Sequence, residues 1–347
     1  MIELPLPPTP ARAKINRLPI GLFGSAMGVT GLSVAWQLAS ERYGSPEWIA
    51  RAVAVVAVTA FLLMVAGYVI KLVIAFPSVQ EEFRHPIDGN LFGTALISLL
   101  QLPIVISPFA HRVAQIIWIA GATGMTSFAW LVVSRWINHR QRVAYATPAW
   151  IIPIVGVLTI PLALPSLGIP HVHGLMVAAL AIGSFFALLL VTLVFSRLLL
   201  DPPLPAALRP SLLILVSPFA VGYSAYTVTA QRTDLLAESL FMLTLFLLTT
   251  LLGQLRDLPV CCPIRVSWWS VGFPLASCSV AALRFAAAEP GFITDAIALA
   301  LLSLATAVTI ALLVVTLIDP GKAGLSGFHV CSCRDILTFP RARGSKR

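Results

Sequence analysis

Ten long apolar segments occupy most of this chain, and they limit its possible folds more than any other feature. The hydrocarbon core of a bilayer is about 30 Å thick, so a helix needs roughly 20 mostly apolar residues to cross it. The ten segments meet this requirement, although the third and the fifth are short and interrupted by proline. Their predicted bounds are Leu18 to Leu38, Ile49 to Phe76, Leu91 to Phe109, Val113 to Trp136, Thr147 to Leu164, Gly174 to Leu200, Leu208 to Ala230, Leu235 to Leu255, Val266 to Ala286 and Phe292 to Ile318.

The composition is that of a membrane protein and excludes a water-soluble enzyme. Of the 347 residues, 58% are hydrophobic and only 11% are charged. A soluble domain usually carries about 25% charged residues, because its surface faces water. We therefore predict an all-α integral membrane protein in which residues 18–318 form one ten-helix domain. Residues 1–17 form an N-terminal tail, and residues 319–347 form a basic C-terminal tail.

The basic residues predict the orientation of the chain. Ten spans place both termini on one side, and that side collects 18 of the 23 Lys and Arg residues. Because cytoplasmic loops are enriched in Lys and Arg, we expect both tails to be cytoplasmic and the protein to be a multi-pass protein of the cell membrane, plasma or inner. The net charge of +9 does not indicate a nucleic-acid partner. The Lys and Arg residues lie between the apolar segments, as they do in loops that anchor helices at an anionic membrane surface.

The prolines alternate along the segments and predict an inner and an outer set of helices. The even-numbered segments contain no proline, whereas the odd-numbered ones carry prolines or, in the first, glycines on one face. Kinked membrane helices are tolerated where neighbours or a polar cavity satisfy the freed backbone groups. The pattern favours five helical hairpins, with the odd kinked helices forming an inner ring around a central pore. Two alternatives are that prolines merely concentrate in short helices, and that Gly24 and Gly28 form a helix-packing GxxxG motif.

The middles of all ten segments lack ionisable residues, which argues against a proton pump or a cation channel. We expect Lys71, Arg135, Arg197 and Arg284, near segment ends, to extend towards the membrane interface. Hydroxyl groups on the odd helices, such as those of Ser98, Ser217, Ser270 and Ser277, can solvate an anion weakly, which suits conduction. Alternatively, these hydroxyls hold helices together.

Three segments resemble the tellurite-resistance/dicarboxylate transporter family, which includes bacterial tellurite-resistance channels, fungal malate and sulfite transporters, and plant guard-cell slow anion channels. They match its first helix, the loop between its second and third helices, and its ninth helix, in the same order. The segments are LPIGLFGSAMGVTGLSVAW (Leu18 to Trp36), KLVIAFPSVQEEFRHP (Lys71 to Pro86) and SWWSVGFPLASCSVAALRFA (Ser267 to Ala286).

The resemblance implies a central pore, one per subunit of a homotrimer, plugged by a phenylalanine of the ninth helix. The matching residue is Phe273, and Pro274 beside it is expected to bend the helix. We expect the pore to be lined by small, hydroxyl-bearing and proline residues of the odd helices, namely Gly24, Gly28, Ser98, Pro103, Pro153, Ser217, Pro218, Ser270, Pro274 and Ser277.

The sequence thus predicts a passive channel or facilitator for small inorganic anions or small carboxylates, gated by Phe273. The candidate anions are chloride, nitrate, malate, sulfite and tellurite, and the sequence does not discriminate between them. The alternative is a proton-coupled carrier of C4-dicarboxylates, sulfite or tellurite. We predict no enzyme activity, no cofactor and no metal, because His329, Cys331 and Cys333 make an incomplete metal site and no phosphate-binding loop is present.

Overall fold

The computed structural model of the protein describes residues 18–255 and 266–318. This part of the chain is helical, with ten helices long and apolar enough to cross a membrane, so the predicted fold class is confirmed. The tails, Cys261, Cys262 and the His329–Cys333 cluster lie outside the described residues. The ten spans are Ile20–Tyr43, Glu47–Ile74, Asp88–Ile106, His111–Asn138, Pro148–Leu167, His173–Leu200, Ala207–Ala230, Leu235–Gln254, Ser267–Ala288 and Phe292–Ile318.

The spans alternate between buried and lipid-exposed positions. In the most apolar window of each odd-numbered span, 61% to 83% of the residues are buried, against 17% to 33% in the even-numbered spans. The odd spans contact one another in the order first, third, fifth, seventh and ninth, and the ninth contacts the first. Each even span packs against the odd span before it. The structure is therefore five hairpins that form a closed inner ring of five helices within an outer layer of five.

Every inner span begins with a 3-10 segment before it becomes α-helical. The 3-10 helix has a tighter winding and is usually short, so a run as long as Ala206–Val216 is uncommon. The outer spans are uninterrupted α-helices. The five 3-10 segments and the α-helices that follow are Ile20–Leu22 and Phe23–Tyr43, Asp88–Leu91 and Phe92–Ile106, Pro148–Ile151 and Ile152–Thr159, Ala206–Val216 and Ser217–Ala230, and Val266–Val271 and Gly272–Ala288.

A short helix, Phe76–Arg84, connects the second and third spans and ties several helices together. Its Glu82 carboxylate accepts hydrogen bonds from Lys71 Nζ at 2.7 Å, from Tyr68 at 2.9 Å and from the backbone N–H of Ile20 at 2.8 Å. The carboxylate thus joins the start of the first inner span to the end of the second span. We name the Lys71, Glu82 and Ile20 contacts the N-terminal latch.

Two basic residues depart from the prediction that they extend to the membrane interface. Lys71 is only 2% exposed, because its ammonium group binds Glu82 and the carbonyl oxygen of Leu18. Arg197, at the end of the sixth span, is 7% exposed, and its Nε and Nη1 atoms have no hydrogen-bond partner among the described residues. The reason is that each side chain turns towards neighbouring helices and becomes covered by them.

The opposite end of the bundle, which we call the far end, lies away from Ile20 and Ile318. There the Asp295 carboxylate accepts hydrogen bonds from Arg42 Nε at 2.8 Å and from the Tyr43 hydroxyl at 2.7 Å. This contact joins the first inner span to the tenth span. Side-chain bonds therefore fix the first span at both of its ends.

Candidate functional site

A narrow cavity lies at the centre of the helix ring, and all five inner spans contribute to its wall. Its volume is about 30 Å³, which gives room for about two water molecules. A shared cavity of this kind is what a closed ring of kinked helices predicts. Its lining residues are Gly31, Val34, Gln101, Ile104, Leu162, Val221, Ser224, Phe273, Ser277, Val280 and Arg284.

Phe273 lies in the first turn of the ninth span's α-helix, directly after the 3-10 segment. The residue is 5% exposed, and its side chain borders the cavity. A Cβ atom added at Gly31, in the middle of the first span, would lie 3.8 Å from Phe273 Cδ2 and 3.5 Å from Gln101 Oε1. The atom nearest to this added Cβ is Ala276 Cβ of the ninth span, at 3.0 Å, so Gly31 allows the first span to pack closely on the ninth beside the phenyl ring and the amide.

Pro274 shapes the helix start beside this ring. The sequence predicts that it bends the ninth helix, and in the structure it is the third residue of the α-helix Gly272–Ala288. This α-helix continues directly from the 3-10 segment Val266–Val271, and Pro274 has no backbone N–H with which to bond a carbonyl of that segment. The irregularity therefore takes the form of the change from 3-10 to α winding at Gly272, just before Phe273.

The ninth span presents one continuous stripe to the cavity. Phe273, Ser277, Val280 and Arg284 all line it, at spacings of four, three and four residues. These spacings place the side chains on one face of an α-helix. At 1.5 Å per residue, the eleven steps from Phe273 to Arg284 cover about 16 Å, so the stripe runs from mid-depth to the far end.

Arg284 is the one basic residue on the cavity wall, and it has no ion pair among the described residues. Its Nε atom is buried without a hydrogen-bond partner. Glu41 and Tyr223 are the neighbours that interact electrostatically with the Arg284 guanidinium group. The Glu41 carboxylate is not close enough to form an ion pair with it. The Arg284 side chain is partly exposed and borders the cavity four residues before the span ends at Ala288, so its extension to the membrane interface stays a prediction.

Gln101 contributes the second unpaired polar group of the wall. It lies in the third span, is 5% exposed, and its Oε1 atom forms no hydrogen bond. A primary amide has both donor and acceptor atoms, so either end of the group can bind a polar ligand in the cavity. Nothing in the sequence beyond a polar residue inside an apolar span marks this position.

Most hydroxyls of the inner spans are already engaged within their own helices. Ser224 donates to the Ala220 carbonyl at 3.1 Å, and Ser277 donates to the Pro274 carbonyl at 2.9 Å. Ser98 and Ser270 bond to earlier carbonyls of their own spans in the same way. Such bonds are usual for Ser and Thr in helices. The hydroxyl of Ser217, by contrast, is buried without a partner.

The predicted pore residues are distributed between the cavity and the helix packing around it. Phe273 and Ser277 line the cavity. Gly24 and Gly28 face the ninth span instead, because a Cβ at Gly24 would lie 3.7 Å from the Trp269 carbonyl oxygen and one at Gly28 would lie 3.2 Å from Gly272. The remaining predicted residues lie on the inner spans outside the cavity wall, and these are Ser98, Pro103, Pro153, Ser217, Pro218, Ser270 and Pro274.

Comparison with known families gives a match over almost all of the described chain. The family described as voltage-dependent anion channel matches residues 17–317. This range includes all ten spans except the last residue of the tenth. The resemblance inferred from the three sequence segments is thereby confirmed.

Individual relatives are distant but extensive. The chain is 24% identical over 324 residues to S-type anion channel SLAH3 of Arabidopsis thaliana, covering 91% of this chain and 50% of that protein. It is 24% identical over 313 residues to guard cell S-type anion channel SLAC1 of the same plant, covering 87% and 56%. It is 25% identical over 279 residues to the tellurite resistance protein TehA homolog of Haemophilus influenzae, covering 77% and 81%. The chain thus spans about half the length of these plant relatives.

Proposed function

This chain belongs to the voltage-dependent anion channel family, and from that premise we propose that it passes small anions through its helix ring. The route is the central cavity, and Phe273 is the gate. Conduction is passive, since the ionisable residue on the cavity wall, Arg284, stays protonated at all physiological pH values and is unsuited to a proton relay.

The observation that carries this proposal is the position of Phe273. Its side chain borders a cavity to which every inner span contributes, so a phenyl group there meets any solute that follows the axis of the ring. An apolar constriction of this kind opposes a hydrated ion, because the ion must lose water without receiving new ligands. Removing the ring is therefore expected to open the route.

The test is anion flux through purified protein in liposomes, with Phe273→Ala compared with the wild type. Phe285→Ala is the matched control, because Phe285 lies on the same span with the same 5% exposure. Its ring stacks on Phe241 of the eighth span, with centroids 4.2 Å apart, and it does not line the cavity. We expect Phe273→Ala to raise chloride and nitrate flux at least tenfold and Phe285→Ala to leave it near the wild-type value. Equal flux in all three proteins would contradict the gate.

The same liposomes separate a channel from a proton-coupled carrier of malate, sulfite or tellurite. An inward proton gradient should not drive malate uptake if conduction is passive. Malate uptake that depends on the gradient, with no anion current in any variant, would establish the carrier.

Assembly and orientation complete the proposal. The family resemblance implies a homotrimer in the cell membrane, with one cavity per subunit and both termini in the cytoplasm. Native mass spectrometry in detergent tests the trimer. Cysteine labelling of Glu47 variants in intact cells tests the orientation, because Glu47 is exposed at the far end and should react from outside.

A further inference from the structure

We propose that Arg284 and Gln101 form an anion-binding site in the cavity, between Phe273 and the far end. The proposal rests on the proposed function and adds a resident site with a stated ligand class, small monovalent inorganic anions. In this account an anion waits beside Arg284 before it passes the phenyl ring.

The first step of the argument is the unusual state of Arg284. A charged group inside a membrane span is costly and is normally paired. Lys71 and Arg42 follow this rule, because Lys71 binds Glu82 at 2.7 Å and Arg42 binds Asp295 at 2.6 Å. Arg197, like Arg284, is unpaired among the described residues, but it does not line the central cavity. Arg284 has no such partner among the described residues, and its Nε atom is buried. An anion in the cavity would supply the missing counter-charge.

The second step is the position of Gln101. Its amide borders the same cavity from the third span, and the amide Oε1 atom forms no hydrogen bond among the described residues. An amide NH₂ group donates two hydrogen bonds, which an anion accepts. Two polar groups on separate helices therefore border one cavity. The unpaired buried atom of Gln101 is the acceptor Oε1, so the donors that an anion would use are on the NH₂ end of the same amide.

The third step identifies the ligand by size. The cavity holds about two water molecules, so a halide ion or nitrate fits with small adjustments. A four-carbon dicarboxylate is larger than this volume, so a small monovalent anion is the better match. Ser224 and Ser277 can add ligands by rotating their hydroxyls away from the helix carbonyls that they now bind.

The fourth step is the opposing charge at Glu41. Its exposed carboxylate lies in the last turn of the first span, and this span packs against the ninth span, which carries Arg284 near the same end. The negative charge therefore weakens the positive potential that an anion meets there. Removing this charge should therefore strengthen anion binding, whereas removing the charge of Arg284 should weaken it. The two variants have opposite expected signs, and a misfolded protein would not produce the gain.

Anion binding can be tested without transport by chloride NMR. Purified protein that binds chloride broadens the chloride signal, and nitrate that competes for the same site reverses the broadening. We expect Arg284→Gln to lower the apparent chloride affinity about tenfold and Arg284→Lys to retain most of it. Glu41→Gln should raise the affinity about twofold to threefold. Arg112→Gln is the matched control, since Arg112 is exposed at the same end but does not line the cavity, and it should change nothing.

Flux in the Phe273→Ala background then separates this proposal from the proposed function. If Phe273→Ala conducts and the added Arg284→Gln lowers flux several-fold at low chloride, both stand. If Phe273→Ala conducts while Arg284→Gln and Glu41→Gln alter neither broadening nor flux, the site is overturned and the channel remains. If no variant conducts but Arg284→Gln abolishes the broadening, the site stands and the channel proposal fails.

Discussion

At the scale of single residues, the cavity combines an apolar ring with a cation on the same helix face. Phe273 is the proposed gate, and Arg284 lies eleven residues further on, about 16 Å along the helix. On the proposed route, an anion coming from the far end would meet the positive charge of Arg284 first and the apolar ring of Phe273 second. The positive charge of Arg284 would thus raise the local concentration of anions next to the Phe273 ring.

The N-terminal latch gives a stability prediction at this scale. The Lys71 side chain is 3% exposed and the Glu82 side chain 14%, so the pair is held largely away from water. Removing one partner of a buried ion pair leaves an uncompensated charge and costs about 3–5 kcal/mol. We therefore expect Lys71→Met to lower the midpoint of thermal unfolding by several degrees, measured through tryptophan fluorescence in detergent.

The control for the latch is Glu81→Gln, since Glu81 precedes Glu82 on the same helix but is exposed. That variant should unfold at the wild-type temperature. A Lys71→Met protein as stable as the wild type would show that the latch does not stabilise the first span.

The sequence identifies Phe273 and Ser277 on the cavity wall, but not Gln101 or Arg284. A three-part motif match locates the phenylalanine, whereas Arg284 lies near a span end, where a long side chain ordinarily reaches the interface. Ser277, Val280 and Arg284 follow Phe273 by four, seven and eleven residues, which places all four side chains on one face of the helix. This helical periodicity is the sequence feature from which the position of Arg284 on the cavity wall could be predicted. The hydroxyl bonds within each helix depend on rotamers, which the sequence does not specify.

At the scale of helices, the ring depends on close contact between the first and ninth spans. Gly28 packs directly against the backbone of Gly272 in the ninth span. A Cβ atom added at Gly28 would lie 3.2 Å from the Cα and the carbonyl carbon of Gly272. Gly24, one turn earlier, has more space, since its added Cβ would lie 3.7 Å from the Trp269 oxygen. The two glycines therefore form a matched pair on one helix face.

We expect Gly28→Ala to destabilise the protein and Gly24→Ala to be neutral or stabilising. Overpacking against backbone costs about 1–3 kcal/mol, whereas Ala in an open helical position is favoured over Gly by about 1 kcal/mol. Thermal unfolding of the two variants in detergent measures the difference. Equal unfolding temperatures would mean that the backbone contact at Gly28 does not contribute to the stability of the protein.

The alternation of prolines predicts which helices lie inside, and the measured burial agrees for all five pairs. The reason is physical, since a helix with freed carbonyls is tolerated where other helices cover it. The 3-10 starts of the inner spans could not be predicted in the same way. They begin after different residue types, such as Pro205 in one span and Ile87 in another, so they depend on tertiary packing rather than on a local motif.

At the scale of the whole molecule, the ring closes within the described residues. The first and ninth spans meet directly, and bonds at both ends of the first span hold it to its neighbours. We therefore expect deletion of residues 322–347 to preserve anion flux in the Phe273→Ala background. Liposome flux of the deleted and full-length proteins, matched for insertion, makes the comparison. Loss of flux in a well-inserted deletion variant would show that this segment is needed for conduction.

The most direct test of the central claim is planar-bilayer current through a size series at Phe273. Substitution by Leu, Val and Ala removes side-chain volume stepwise from the residue that borders the cavity. We predict that the current grows in this order and that its reversal potential follows the chloride or nitrate gradient. Current that is independent of side-chain size, or that Phe285→Ala raises equally, would contradict a central anion pore closed by Phe273.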